Sequence, residues 1–225
     1  MNDYFAKNSA IFSDEEMELL KLKKVFVAGC GGLGGSITEI LARTGIGCLV
    51  LADMDVFEPS NMNRQILCTE ETLGMGKAQA AASRVRSINP DAQTTVITEA
   101  ISAENASALI KGCDIVIDAL DSVEARLVLE DACSAEGLFL IHGAVNGWAL
   151  QTGVCPPGAG VLHSLYGGKN TATHPGGGIA MTVFTCAAFE VSEAVNVLLG
   201  RPGSRDGKLL FFDLLTKESQ IIPMP

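Results

Sequence analysis

The chain has 225 residues, of which 48% are hydrophobic and 19% are charged, and its formal net charge is −10 at pH 7. This composition is typical of a globular chain and excludes a disordered or fibrous one. The excess of negative charge weighs against nucleic acid as a partner, because DNA and tRNA are held mainly through phosphate electrostatics.

The N-terminal segment and the cysteines indicate a compartment. Residues 1–5 lack the positively charged region and apolar core of a secretory signal. The seven cysteines are scattered and include no Cys-x-x-Cys pair, which is typical of reduced thiols, so we expect a cytoplasmic protein. The most apolar stretch, 179–199, contains two glutamates and an asparagine, which favours a buried helix over a membrane span.

Strands and helices alternate through the first 142 residues. Ser13-Asp14-Glu15-Glu16 has the form of a capping box, which predicts a short helix through about residue 22. Helical spacing predicts further helices at 33–44, 75–88, 103–111 and 123–135. Short apolar runs predict strands at 25–28, 49–52, 94–98, 115–118 and 139–142. The alternation predicts an α/β fold with a Rossmann-like, doubly wound and mostly parallel sheet.

The pattern changes after residue 142. We expect antiparallel strands to extend the sheet there, beginning with a strand at 145–154. A long mobile loop at 156–178, the helix at 179–199 and a hairpin of strands 208–213 and 218–222 follow. The predicted organisation is an N-terminal helical segment, 1–23, and a single domain, 24–225, with a nucleotide-binding half, 24–143, and an antiparallel half, 144–225.

A glycine-rich turn lies between the first predicted strand of the sheet and the helix after it. Gly29, Gly31 and Gly34 fit the pattern G-x-G-x-x-G, which permits a tight turn and close backbone approach to a phosphate. The helix N-terminus adds a partial positive charge. Asp53 follows near the spacing of about 20 residues at which a carboxylate binds a ribose hydroxyl. The turn predicts a nucleotide but does not distinguish NAD from ATP.

The next polar residues favour ATP. Asn61, Asn63, Arg64 and Gln65 form one polar segment, and Lys77 begins a helix soon afterwards. An NAD enzyme needs few cations beyond its pyrophosphate loop, whereas cleavage between the α- and β-phosphates of ATP develops negative charge that must be stabilised. Arg64 can present a planar fork to phosphate oxygens, and Lys77 supplies a compact charge. We therefore predict that both are catalytic.

The fourth strand of the predicted parallel run ends in a second acidic sequence, Asp118-Ala119-Leu120-Asp121-Ser122. Ligands of such sheets bind beyond the carboxyl ends of the strands, so we expect Asp121 to hold Mg²⁺ bound to triphosphate and to be catalytic. Asp118 is expected to be structural. Arg126, one turn into the next helix, either fixes the loop or reaches a substrate.

These separated motifs, in this order, resemble those of the ThiF/MoeB/HesA family, the bacterial relatives of ubiquitin-activating enzymes, over about residues 24–222. The residues that carry the resemblance are Gly29–Gly34, Asp53-x-Asp55, Ser60-Asn61-x-Asn63-Arg64-Gln65, Gly76-Lys77, Asn89-Pro90 and Asp118-x-x-Asp121.

The resemblance implies an adenylyltransferase that acts on the C-terminal Gly-Gly carboxylate of a small ubiquitin-like sulfur carrier, for example in thiamine biosynthesis, and releases pyrophosphate. It also implies a homodimer and the cofactors ATP and Mg²⁺. The expected nucleotide contacts are Gly29, Gly31, Gly32, Asp53, Asn61, Asn63, Arg64, Gln65, Lys77, Asp121 and Ser122.

The chain departs from the family pattern in four places. Many relatives hold zinc with two Cys-x-x-Cys pairs, and this chain has none, so we expect no zinc site. The loop 156–178 contains no cysteine for sulfur or thioester transfer, and Cys186 lies in an apolar helix, so sulfur is expected to come from another protein. Residues 1–20 lack the arginine by which relatives often reach the ATP of the partner subunit. Ser122 stands where many relatives have asparagine.

Three alternatives remain open. Residues 41–47, 53–55 and 118–123 also resemble the tRNA threonylcarbamoyladenosine dehydratases, although the acidic charge and residues 178–222 favour the sulfur-carrier branch. An NAD-dependent oxidoreductase and a non-catalytic protein that binds nucleotide or carrier are the others. We expect no metal at His142, His163 or His174, and a surface position for the last two.

Overall fold

One sheet of eight strands forms the centre of the molecule, which we describe from a computed structural model over residues 3–167, 177–203 and 207–224. The strand order is β3-β2-β1-β4-β5-β6-β7-β8. The first five strands pair in parallel, and the last three add antiparallel pairs. The strands are β1 (Lys24–Ala28), β2 (Cys48–Ala52), β3 (Gln93–Ile97), β4 (Ile115–Asp118), β5 (Leu140–Asn146), β6 (Ala149–Cys155), β7 (Lys208–Asp213) and β8 (Ser219–Pro223).

Helices cover both faces of the sheet, as doubly wound folds require. They are α1 (Asp14–Leu22), α2 (Gly32–Thr44), α3 (Lys77–Ile88), α4 (Ala106–Ile110), α5 (Val123–Glu136), α6 (Val161–Tyr166) and α7 (Ala180–Leu198). One apolar core lies between the sheet and α2, α3 and α7. A second core lies between the opposite face and α4, α5 and α6. The predicted α/β class, with its antiparallel extension, is confirmed.

Helix α7 has the length and apolar composition of a membrane span, and 56% of its apolar window is buried. Val183, Cys186 and Ala187 are 2%, 0% and 0% exposed in the first core. The sequence correctly predicted a buried helix here. At the other end of the chain, the predicted capping box of α1 is present, with Glu16 N–H donating to Ser13 Oγ at 3.2 Å.

The strand predicted at 145–154 is wrong, because a turn interrupts it. Residues 145 and 146 belong to β5, and the chain reverses at Gly147–Trp148 into antiparallel β6. Gly147 has φ 58°, a conformation that glycine adopts without a steric penalty. Glycine at the first position of a two-residue loop is a hairpin signal, which the alternating apolar pattern on both sides concealed.

The predicted loop at 156–178 is also partly wrong, since it contains helix α6. The backbone N–H groups of Leu162 and His163, in the first turn of α6, donate to the two carboxylate oxygens of Glu130 at 2.8 and 3.0 Å. Glu130 lies on α5, so the group that satisfies the start of this helix is supplied by a distant part of the sequence. Residues 168–176 lie outside the described residues, and so does the predicted mobility of that part of the loop.

Candidate active site

The site lies where the strand order reverses direction. Strands β1 and β4 are neighbours, while the chain continues from β1 toward β2 on one side and from β4 toward β5 on the other. The segments that follow β1 and β4 therefore diverge and leave a crevice at the carboxyl ends of the strands. Crevices of this kind are where ligands bind in open α/β sheets.

The glycine turn closes tightly between β1 and α2. A Cβ built on Gly34 would lie 1.8 Å from the carbonyl oxygen of Gly29. Gly29 has φ 92°, and a Cβ there would lie 2.7 Å from the carbonyl oxygen of Ala119, in the segment after β4. Both positions exclude larger residues, so the glycines bring the turn against the segment after β4.

Asp53, the residue after β2, holds this turn in place by hydrogen bonds. One carboxylate oxygen accepts a hydrogen bond from the N–H of Cys30 at 2.7 Å, and the other accepts one from the N–H of Asp55 at 2.9 Å. The parallel register places the ends of β1 and β2 side by side, with Ala28 opposite Ala52. A carboxylate offers about four acceptor positions, so Asp53 keeps capacity for a ribose hydroxyl.

Arg64 lies over the start of α2. Its Cγ would be 3.9 Å from a Cβ on Gly32. The guanidinium donates to the Ser60 carbonyl oxygen at 3.2 Å and to Asn63 Oδ1 at 2.8 Å. Across the described ranges, no carboxylate pairs with it. The charge of Arg64 is thus oriented by neutral groups and left uncompensated.

The other polar residues of this segment differ in their surroundings. Asn61 accepts from the Glu58 N–H at 3.1 Å and closes a short 3₁₀ turn, and Asn63 donates to the Gly178 carbonyl oxygen at 3.4 Å. Gln65 is 6% exposed, and its Oε1, close to Gly31, has no hydrogen-bond partner among the described residues. An orphaned buried acceptor is costly, so it marks a position where a ligand donor would be favourable.

Lys77 is buried and paired with Asp55, which the sequence did not predict. The ammonium lies 2.9 Å from Asp55 Oδ2, and its side chain is 11% exposed against 57% for the carboxylate. The backbone N–H of Lys77 also donates to the Asp55 carbonyl oxygen at 2.9 Å, and the Asp55 N–H is bound by Asp53, the carboxylate that holds Cys30 of the glycine turn. An ammonium carries three donors, so the pair with Asp55 does not exhaust it.

Asp121 and Ser122 follow β4 in different roles. Asp121 is exposed, and within the described residues its carboxylate has no hydrogen-bond or ion-pair partner. Ser122 is the N-cap of α5 and accepts from the Ala125 N–H at 3.2 Å. The described residues contain no group of three or more histidine, cysteine or acidic side chains that could hold a metal ion. One free carboxylate fits Mg²⁺, which takes most of its ligands from phosphates and water.

A buried polar network behind this loop escaped sequence analysis. Asp118 and His142 occupy facing positions of β4 and β5, are fully buried, and lie 2.7 Å apart between Oδ2 and Nδ1. The hydroxyl of Tyr166 lies 3.0 Å from His142 Nε2, and Arg126 joins Asp118 at 3.4 Å. Burial lowers the pKa of His142, so the imidazole is neutral. Both Asp118 and Arg126 bind the loop after β4, Asp118 through the Leu120 N–H and Arg126 through the Leu120 carbonyl oxygen.

Glu190 of α7 is a second buried acid that the sequence did not single out for the site. Its carboxyl group fills the space beside Gly143, where a Cβ would lie 2.1 Å from Glu190 Cδ. Burial and the nearby charge of Asp118 raise its pKa well above the usual range, against the opposing charge of Arg126. The protonated, neutral form of Glu190 is therefore favoured over the carboxylate more strongly than in an exposed glutamate.

The other residues considered in the sequence are His163, His174, Cys155 and Cys186. His163 is exposed and 2.8 Å from Asp131, whereas His174 is outside the described residues. Cys155 and Cys186 are 2% and 0% exposed, and burial raises the pKa of both thiols well above its usual value. Neither thiol is activated as a nucleophile.

A family model now identifies the chain's relatives. The model described as "ThiF family" matches residues 5–225. The chain belongs to the ThiF family. The resemblance inferred from the motifs is confirmed.

Curated ThiF relatives include named adenylyltransferases. The chain is 32% identical to the SAMP-activating enzyme E1 of Haloferax volcanii, over 89% of this chain and 76% of that protein. It is 38% identical to the sulfur carrier protein ThiS adenylyltransferase of Bacillus subtilis, over 80% and 56% respectively. It is 29% identical to the molybdopterin-synthase adenylyltransferase of Escherichia coli, over 91% of this chain and 84% of that protein. These similarities support an adenylyltransferase.

Solved structures agree with the fold. The E. coli MccB complex with MccA-N7isoASN superposes with a TM-score of 0.86 at 20% identity, covering 100% of this chain and 72% of that one. The E. coli tRNA N6-threonylcarbamoyladenosine dehydratase TcdA gives a TM-score of 0.76 at 28% identity, covering 88% and 95%. The chain spans only part of several longer relatives. It matches 56% of the B. subtilis protein and 61% and 44% of two others.

Proposed function

We propose that this ThiF-family protein uses ATP to adenylate the C-terminal Gly-Gly carboxylate of a small ubiquitin-like sulfur carrier. The observation that carries the proposal is the position of Arg64. The Arg64 side chain passes over the start of α2, with Cγ 3.9 Å from a Cβ built on Gly32, and within the described residues its guanidinium has no carboxylate partner. A cation without a carboxylate partner beside a phosphate-binding turn is suited to charge that develops on a phosphate.

The reaction needs positioning rather than a protein nucleophile. A carboxylate oxygen of the carrier attacks the α-phosphorus, and an acyl–phosphate bond forms. The bond between the α-phosphorus and the α,β-bridging oxygen breaks, and pyrophosphate leaves with the electron pair. No proton transfer is required, which agrees with buried thiols and a neutral, buried His142.

Each site residue has a proposed part in holding ATP. Asp53 would accept from the ribose hydroxyls, and Gln65 Oε1 would gain the donor that it lacks. Arg64 and Lys77 would bind phosphate oxygens, with the N-terminus of α2 beside them. Asp121 would hold Mg²⁺, and the ion would supply positive charge to the triphosphate.

The named relatives support this choice of substrate. Two of these relatives are named as a SAMP-activating enzyme and as an adenylyltransferase of the sulfur carrier protein ThiS. The buried thiols support sulfur supplied by another protein, since neither Cys155 nor Cys186 is accessible. We further propose a cytoplasmic homodimer, for which light scattering after gel filtration would give twice the 23.6 kDa chain mass.

The deciding experiment is ATP–pyrophosphate exchange with candidate carriers from the same genome. We expect exchange that depends on a carrier ending in Gly-Gly and is lost when the last glycine is deleted. Background exchange with every such carrier would refute the proposal. ATP binding without exchange would instead indicate a non-catalytic binding protein.

A second candidate follows from the similarity to TcdA, which at 28% identity exceeds that of MccB. In that case the adenylated carboxylate would be the threonylcarbamoyl group of a tRNA. The same assay with modified tRNA in place of the carrier tests it. The net charge of −10 predicts that the carrier, and not the tRNA, supports exchange.

A further inference from the structure

Leu120, the residue before Asp121, is held at both of its backbone polar groups by buried side chains. Its N–H donates to Asp118 Oδ1 at 3.0 Å, and its carbonyl oxygen accepts from Arg126 Nε at 3.1 Å and from Arg126 Nη2. Asp118 is 0% exposed and Arg126 is 8% exposed. The Leu120 carbonyl shares its peptide plane with the Asp121 N–H, so Arg126 fixes the direction in which the chain enters Asp121.

The guanidinium of Arg126 is itself held from several sides. It pairs with Asp118 at 3.4 Å and donates to the Gly143 carbonyl oxygen at 3.3 Å and to the Tyr166 hydroxyl at 3.2 Å. These partners lie on β4, β5 and α6. A planar fork with five N–H donors can satisfy such a set, whereas an ammonium group cannot reproduce its geometry.

The network continues to the far side of His142. With His142 neutral, Nδ1–H donates to Asp118 and Nε2 accepts from Tyr166, while the Gln151 amide donates to the Tyr166 oxygen at 2.6 Å. This arrangement leaves the negative charge of Asp118 facing Arg126. The loop that carries Asp121 is therefore supported by three neighbouring elements of the fold.

Stability alone does not account for this network. A buried ion pair adds little or nothing to the free energy of folding compared with well-packed apolar residues, because the cost of desolvating the two charges offsets their attraction. The clearest structural effect of the network is that it fixes the backbone at Leu120. Asp121, one residue further, is exposed and without a protein partner among the described residues.

We propose that Arg126 is a positioning residue for Asp121, and that it acts through the Leu120 carbonyl to set the affinity of the site for magnesium-bound triphosphate. The inference deepens the proposed function and rests on its assignment of Asp121 to the metal. Groups that orient a metal ligand from behind typically change metal affinity or activity by about 10–100-fold when they are replaced.

The test is a double-mutant cycle on equilibrium binding of α,β-methylene-ATP, measured by calorimetry with Mg²⁺ and with EDTA. Arg126→Lys should weaken Mg²⁺-dependent binding by about 10–100-fold and leave binding in EDTA unchanged. In an Asp121→Asn background the same change should have almost no further effect. Wild-type affinity for Arg126→Lys, or losses that multiply in the double variant, would overturn the inference.

Matched variants separate positioning from folding. The control is Arg84→Lys, which also alters an arginine paired with a carboxylate, because Arg84 Nε lies 2.6 Å from Glu39. Arg84 lies on α3 and, within the described residues, has no hydrogen bond or ion pair with the loop of Asp121, so this variant should bind the analogue with wild-type Mg²⁺-dependent affinity. If thermal unfolding shows that Arg126→Lys does not fold, Tyr166→Phe decides, because it keeps Arg126 and removes one hydroxyl, which contacts Arg126 as well as His142 and Gln151. Reduced Mg²⁺-dependent affinity supports the inference, and wild-type affinity refutes it.

This assay contains no carrier, so its result is independent of the carrier's identity. A wild-type protein that fails to exchange pyrophosphate with any carrier, yet shows the coupling between Arg126 and Asp121, would refute the proposed substrate alone. A wild-type protein that binds the analogue equally with Mg²⁺ and with EDTA would refute the role of Asp121 and this inference with it.

Discussion

Asp53 and Cys30 are joined by a 2.7 Å hydrogen bond between a carboxylate oxygen and a backbone N–H, which ties the end of β2 to the glycine turn after β1. The same carboxylate holds the N–H of Asp55 at 2.9 Å. A residue expected to bind ribose therefore also builds the surface on which the nucleotide would lie. Both roles depend on its negative charge, because charged acceptors form the stronger hydrogen bonds.

Replacing Asp53 should affect both folding and nucleotide affinity. Asp53→Ala removes a charged acceptor from two backbone donors and should lower the free energy of unfolding by about 2 kcal/mol. Asp53→Asn keeps one oxygen and should lose less. Urea unfolding and ATP calorimetry measure the two effects. Asp91→Ala, at an exposed aspartate, is the control, and equal stability of the two alanine variants would contradict the prediction.

Arg64→Lys should reduce catalysis while leaving the fold intact. Lysine keeps the charge but loses the planar fork, and removal of one well-placed donor to a developing charge costs about 10²–10³-fold in rate. Carrier-dependent ATP–pyrophosphate exchange measures the loss, with thermal unfolding as the check on folding. Arg86→Lys, at an arginine that donates to the Ser83 hydroxyl at 2.9 Å, should exchange like the wild type. Similar rates for Arg64→Lys and the wild type would exclude Arg64 from phosphate binding.

Asp55→Asn should strengthen the binding of triphosphate. Asp55 and the phosphates would compete for Lys77, and the amide keeps the size of the carboxylate without its charge. Because the carboxylate is 57% exposed, the lost pair should cost less than about 1 kcal/mol of stability. ATP calorimetry at low and high salt measures the effect, which salt should diminish. Weaker binding would instead identify Asp55 as a group that contacts the nucleotide directly.

The sequence predicted what local patterns determine. The glycines of the turn, Asp53 and Asp121 each follow a strand that the sequence predicts to be part of a parallel sheet, so a position at the carboxyl edge of the sheet could be predicted for all of them. Helix α6 was missed because Glu130, which satisfies its first turn, lies about thirty residues earlier. The pairing of Lys77 with Asp55 was missed for a similar reason, because the two residues are 22 positions apart and meet only in the folded chain.

His142 shows the same limit more sharply. Its partner Asp118 was recognised as structural, but their contact depends on the register of β4 and β5, which places them opposite each other. Polar residues at equivalent positions near the ends of adjacent predicted strands are the signal that could have revealed it. Without the register, a histidine in an apolar strand could not be assigned a partner.

Glu190→Gln should stabilise the protein at neutral pH. In the folded state Glu190 faces Asp118, which raises the pKa of its carboxyl, and Arg126, which lowers it, while Cys186 donates weakly to it at 3.7 Å. Burial is the largest influence and leaves the pKa of Glu190 well above the ordinary glutamate value of 4.5. Glutamine resembles the protonated acid in shape but cannot ionise, so it avoids the cost of keeping the proton.

The sign of the pH dependence follows from proton binding. Above pH 4.5 the unfolded chain releases the proton of Glu190 while the folded protein retains it, so the folded state binds more protons and stability falls as the pH rises. The advantage of Glu190→Gln should therefore grow by up to about 1.4 kcal/mol per pH unit until the folded pKa is passed. Urea unfolding of both proteins from pH 5 to 8 measures it. The lowered pKa of His142 has the opposite effect, because it reduces the stability of the folded protein as the pH falls. The wild type and Glu190→Gln both contain His142, so its contribution cancels when their free energies of unfolding are subtracted. Parallel stability curves would mean that Glu190 ionises normally and that water or a cation compensates its charge.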